Sequence, residues 1–222
     1  MSDHCTEESF LKDVASHGIQ ILRDDGVNRH VRFSRPNTSC YRFDLITWPG
    51  KICYTGDMGT YVFSRIEDMF EFFRTDKNDF NYNKNGLSIN RGYWSEKLLA
   101  VDGGRSGGKV QEFDEERFDK VIMERLVEWI REHRESTTKE ERRELWEAVV
   151  SEVINADGDS DGMRKQIAGH DFHHTVNRRH DFYFQDLWES STERYTYHFT
   201  WCCYALAWGI QQYDKQRELL AA

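Results

Sequence analysis

Between residues 40 and 73 the chain alternates apolar and polar positions, then abruptly changes period. The stretch reads CYRFDLITWPGKICYTGDMGTYVFSRIEDMFEFF. Tyr41, Phe43 and Leu45 alternate with Arg42 and Asp44, the period-two signature of a strand with one buried face. Trp48-Pro49-Gly50-Lys51 reverses the chain, and residues 51–55 and 60–63 read as two further strands about a turn at 56–59. Ser64 and Glu67 have the spacing of a capping box, and Ile66, Met69, Phe70 and Phe73 form the apolar face of the helix that follows.

The same reading extends upstream. Residues 6–17 predict a short helix capped by Thr6 and stopped at Gly18, with Phe10, Leu11 and Val14 on one face. Residues 19–24 and 28–34 flank Asp25-Gly26, a strong hairpin signal. Short connections between about five strands favour an antiparallel meander.

Downstream, periodicity disappears over residues 75–91, TDKNDFNYNKNGLSINR. Phe80 and Tyr82 stand there among polar residues, which makes the segment a candidate recognition loop. Residues 93–100 read as a brief helix. Residues 102–109 carry Gly103, Gly104, Gly107 and Gly108 and read as a linker.

Beyond the linker the period is helical. Phe118, Val121, Ile122, Leu126, Trp129 and Ile130 recur at three-and-four spacing over residues 114–133. Thr137 or Thr138 opens another helix, with Glu140 and Glu141 placed for a capping box and Leu145, Val149, Val150 and Val153 on one side. Residues 163–174 read as helix, 182–189 as an aromatic connection, and 192–219 as a closing helix. Between Tyr195 and Tyr213 that helix is apolar nearly all round, so it belongs at the centre of the helical half or under another subunit of a homo-oligomer. The whole predicts an α+β protein. An antiparallel sheet of about five strands covered by helices occupies 1–101, the linker 102–109, and a mainly helical half 110–222.

Composition adds three points. Aromatics reach 14%, so large rings fill the core even though hydrophobic residues total 38%. The formal charge of −9 disfavours direct nucleic-acid binding, which draws its affinity from Lys and Arg. The five cysteines are odd in number and show no C-x-x-C spacing, which points to a reducing compartment rather than a disulfide scaffold or zinc site. The acidic, polar N-terminus is not that of a signal peptide, and the most apolar run, 199–210, is too short for a bilayer, so no membrane role is expected.

Candidate chemistry is sparse, and no cofactor is expected. Asp157, Asp159 and Asp161 begin like a calcium loop, but its twelfth position is Ala168 where a bidentate Glu is needed. His170, His173 and His174 are weak metal candidates, since His170 and His174 would share one face of a helix. With Asp171, His180 and Asp181 they would serve a metal-dependent hydrolase or nuclease. Gly108-Lys109 is followed by Val110, which lacks the hydroxyl of a phosphate loop. Arg178 and Arg179, next to Phe182, Tyr183 and Phe184, would suit single-strand binding by charge and stacking.

The stretches CYRFDLITWPGKICYTGDMGTYVFSRIEDMFEFF, YWSEKL and WCCYALAWGIQQYD resemble those of a family of uncharacterised accessory proteins encoded by phages and prophages. The resemblance implies a cytoplasmic protein of the infected host cell. It also implies a role against host defence, by binding and obstructing a nucleic-acid-targeting immune complex of the Gabija or CRISPR type without catalysis. On that reading Phe80, Tyr82, Arg178, Arg179, Trp201 and Trp208 are candidate partner contacts.

Overall fold

A computed structural model describes residues 4–74, 86–102, 104, 109–156 and 162–221. The protein is α+β, with an antiparallel sheet in its N-terminal part followed by helices. Contacts divide the chain into two units, Met1–Val110 with Tyr195–Ala222, and Gln111–Arg194. The contiguous division into 1–101, 102–109 and 110–222 therefore gives way to a nested one, because the end of the chain returns to the sheet.

The first unit opens with α1 (Glu7–Val14), capped by Thr6 in a box with Ser9. Phe10 and Val14 are buried, while Leu11 is exposed and outside the core. Strands β1 (Gly18–Asp25), β2 (Asn28–Ser34), β3 (Phe43–Trp48), β4 (Lys51–Gly56) and β5 (Gly59–Ser64) follow as an antiparallel meander. Helix α2 (Met69–Phe73) starts later than the capping-box spacing implies. Asp68 is its cap, accepting from the Phe70 backbone N–H, and Ile66 lies before it, exposed.

Helix α3 (Arg91–Ser95) covers only part of the helix expected at 93–100. The rest is β6 (Leu98–Val101), which pairs with β5 and brings the sheet to six strands. The strand is short and lacks alternation, so its pairing comes from the neighbouring edge rather than from a pattern of its own.

The second unit begins with β7 (Gln111–Phe113) and α4 (Glu115–Glu132). Helix α5 (Lys139–Val149) is capped by Thr138 in a box with Glu141. It continues as a π-helical turn, Val150–Ile154. Helix α6 (Met163–Asp171) stops short of the expected end at His174, because Phe172 turns extended and β8 (His173–Asn177) begins. Strand β9 (His180–Tyr183) completes a hairpin with β8. A 3-10 turn, Leu187–Glu189, leads to β10 (Glu193–Tyr195), which pairs with β7. Phe118, Ile122, Leu126, Leu145, Val149, Val153 and Phe182 form the core of this unit.

Helix α7 (Tyr197–Ala221) belongs to the first unit. Its apolar residues pack there, in the core of the N-terminal sheet, rather than inside the helical half. The inward face of the sheet is Val31, Phe33, Phe43, Leu45, Ile52, Tyr54, Tyr61 and Phe63, all fully buried. Phe33 pairs with Phe43, Leu45 with Tyr54, and Tyr54 with Tyr61 across neighbouring strands. Phe199, Trp201, Leu206 and Ile210 of α7 join the same core. Small residues Cys202, Ala205 and Gly209, buried at three-and-four spacing, share one side of the helix. At Gly209 an added Cβ would lie 3.0 Å from Leu45 Cδ1 and 3.1 Å from the Phe33 ring. No helix among the described residues is long and apolar enough to cross a membrane.

Candidate functional site

The histidines expected as metal ligands are not brought together. His170 is at the exposed end of α6, with its Nδ1 3.0 Å from Asp171 Oδ1. His173 and His174 are consecutive in β8, so their side chains leave opposite faces of the hairpin. His173 stacks near Tyr183 and His174 near Phe172. The shared helical face for His170 and His174 fails because the helix ends at Asp171. Among the described residues no three His, Cys, Asp or Glu side chains form a group fit to hold a metal. The sequence does not reveal the histidine pair that does meet: His133 and His180 lie 4.9 Å apart edge to face, with Trp129 stacked on His133 at 4.2 Å.

The other candidates separate in the same way. Arg178 and Arg179 are the exposed turn between β8 and β9, held by Asn177 Oδ1, which accepts from the Arg179 and His180 backbone N–H groups. Trp201 is 0% exposed, donates its Nε1–H to Asp13, and packs on Phe10 and Phe43; it is a core residue, so its ring cannot anchor a partner at the surface. Trp208 is half-buried against Phe10, Phe33 and Phe43. Phe80, Tyr82 and the acidic run 157–161 lie outside the described residues.

A groove in the second unit holds the features of a binding surface. It has a volume of about 590 Å³ and is walled by α4, α6 and the segment 187–193. Helix α6 is polarised the opposite way from an ordinary surface helix. Its buried side carries Lys165, 2% exposed, and Gly169. Its open side carries Met163, 59% exposed, and Ile167, 52% exposed, one turn apart on the same face.

The inversion has a structural cause. Lys165 Nζ lies 2.7 Å from both Glu115 and Asp119, which are themselves one turn apart on α4. Burial alone would push the ammonium down; hydrogen bonding and charge from Asp119 and Glu115 outweigh it and hold Lys165 above its ordinary value. At Gly169 an added Cβ would come within 3.1 Å of Phe118 and 3.2 Å of Leu187, so the helix docks by close approach. The ion pairs and the glycine seat α6 on α4, and its large apolar side chains are left facing outward.

Across the groove stands Trp188, 73% exposed, in the sequence Asp186-Leu187-Trp188-Glu189. Among the described residues that line the groove there is no Lys or Arg, and Glu193 is one of them. Next in sequence to lining residues, Asp171, Asp186 and Glu189 are exposed, and so are Arg117, Lys120 and Arg164. The acidic character belongs to the unit as a whole. Residues 111–194 hold 22 of the 39 acidic side chains and 13 of the 30 basic ones, a balance of −9, while the first unit holds 17 of each and is neutral. Sequence reading missed this groove because Trp188 and Ile167 sit in no long periodic run. The available signal was a Trp between carboxylates, with a lysine in the helix phase opposite Met163 and Ile167.

No family model matches the chain, and neither the curated proteins nor the solved structures include a significant match to it.

Proposed function

We propose that this is a non-catalytic binding protein that uses its acidic unit, residues 111–194, to occupy a basic surface of a nucleic-acid-targeting defence complex. The observation that carries the reading is the segregation of charge. All of the net −9 falls in one unit, and the other is balanced. A surface that attracts phosphates attracts clustered carboxylates by the same field, and such steering weakens with salt. The resemblance to phage accessory proteins supplies the class of target.

The test is displacement. A purified Gabija-type or CRISPR-type effector is loaded with labelled DNA and titrated with the full-length protein. DNA release that saturates near stoichiometric protein, weakens as salt rises, and leaves the DNA uncut supports the proposal. Retention of DNA at every ratio in low salt, by effectors of both types, overturns it.

A further inference from the structure

We infer that the groove between α6 and the 187–193 segment is the seat of a basic amphipathic helix presented by the partner. This rests on the binding role proposed above and assigns it a place and a chemistry.

Three observations select that occupant. First, the walls are exposed apolar side chains, Met163, Ile167 and Trp188, above a floor of Phe118 and Leu187. A small ligand would remain largely in water against such open walls, whereas small-molecule pockets enclose most of their ligand. Second, Met163, Ile167 and His170 follow one ridge of α6 for about 10 Å, at the rise of a helix per residue. A ridge facing a wall accepts the i, i+3/i+4, i+7 side chains of a second helix. Third, the described residues that line the groove include Glu193 and no Lys or Arg, and the unit that holds it carries a net charge of −9. The occupant's polar face therefore carries Lys or Arg. Trp188 is its anchor: Trp is enriched among the interface residues that carry most binding energy.

The experiment uses the full-length protein and three labelled 20-residue helical peptides. The first has Leu on one face and Lys on the rest. The second replaces Leu by Gln, and the third replaces Lys by Glu. Fluorescence anisotropy at low salt is expected to show binding of the first peptide, with the second and third weaker by at least about tenfold. Trp188→Ala is expected to weaken the first peptide by about 30-fold or more, and Ile167→Ser by a smaller factor. Near-UV circular dichroism verifies that both variants retain the fold.

Equal binding of the Leu and Gln peptides, or full affinity in both variants, overturns the groove assignment and leaves the charge-based role standing. Failure of every Lys peptide to bind at low salt overturns both. A dimer by light scattering that Trp188→Ala dissociates assigns the groove to a second copy of the chain and overturns the helix assignment.

Discussion

Arg29 shows how a cation is kept inside the first unit. Its guanidinium is nearly buried and makes two 2.8 Å hydrogen bonds to the carboxylate of Asp68. It also lies over the rings of Phe70 and Tyr213, at 4.8 and 5.7 Å. Asp68 has a second task, since its Oδ1 accepts from the Phe70 N–H and caps α2. Burial pushes the Asp68 carboxyl up, but the hydrogen bonds from Arg29 and the Phe70 backbone outweigh it and hold the group below its ordinary value. A carboxyl depressed in this way stabilises the fold above its unfolded value near pH 4, and the contribution is lost as pH falls through the folded value. Asp68→Ala removes the cap and leaves Arg29 only the more distant carboxylate of Asp24, 4.0 Å away, so it is expected to cost about 3 kcal/mol at pH 7. The gap between mutant and native protein should close on acidification. Urea unfolding at pH 7 and pH 3 measures both; an equal gap at the two values would refute the ionic account.

At the scale of elements, α7 decides the architecture of the first unit, and Gly209 tests how. In an exposed helix Gly→Ala stabilises by about 1 kcal/mol, because alanine is the better helix former. Here the new Cβ meets Leu45 at 3.0 Å and the Phe33 ring at 3.1 Å, and both neighbours are fully buried. Phe33 is stacked on Phe43 at 4.7 Å and cannot retreat. The packing term wins, and Gly209→Ala is expected to destabilise by about 1–3 kcal/mol, read as a lower thermal midpoint. A raised midpoint would mean that the helix–sheet gap yields.

Elements were legible in the sequence where a local signal decides them. The cap at Thr6, the box at Thr138, the alternation of Phe43 and Leu45, and the three-and-four spacing of Phe118, Ile122 and Leu126 each report their own environment. Illegible features depend on a distant partner. β6 is a strand because β5 offers an edge, and α7 is apolar all round because it meets a sheet that begins far upstream. The groove falls in the same class, since the outward phase of Ile167 follows from an ion pair between Lys165 and α4. The charge split, by contrast, was countable from the start. Residues 195–222 hold two acidic and two basic side chains, so residues 110–222 also sum to −9.

At the scale of the whole molecule, the second unit is an excursion in the chain. The path leaves the first unit after Val110 and rejoins it at Tyr195. The crossing strands β7 and β10 hydrogen-bond to one another, so the two ends of the excursion lie side by side. Each unit has its own buried core, and among the described residues none belongs to both. Closed cores and adjacent ends are the conditions under which a segment folds when excised. Residues 111–194 alone are therefore expected to give a dispersed amide NMR spectrum and a cooperative melt. The remainder, with Val110 joined to Tyr195 through a short Gly-Ser link, should also fold, because it keeps α7 over the sheet. Residues 1–110 without α7 should not, since the faces of Phe33, Phe43 and Tyr54 lose their cover. Anion-exchange chromatography should retain 111–194 far more strongly than the neutral remainder. If the excised segment proves unfolded while the remainder folds, the second unit depends on the first. Otherwise DNA displacement from a defence complex should follow residues 111–194 alone, and an effect that stays with the remainder would place binding on the sheet unit, against the charge argument.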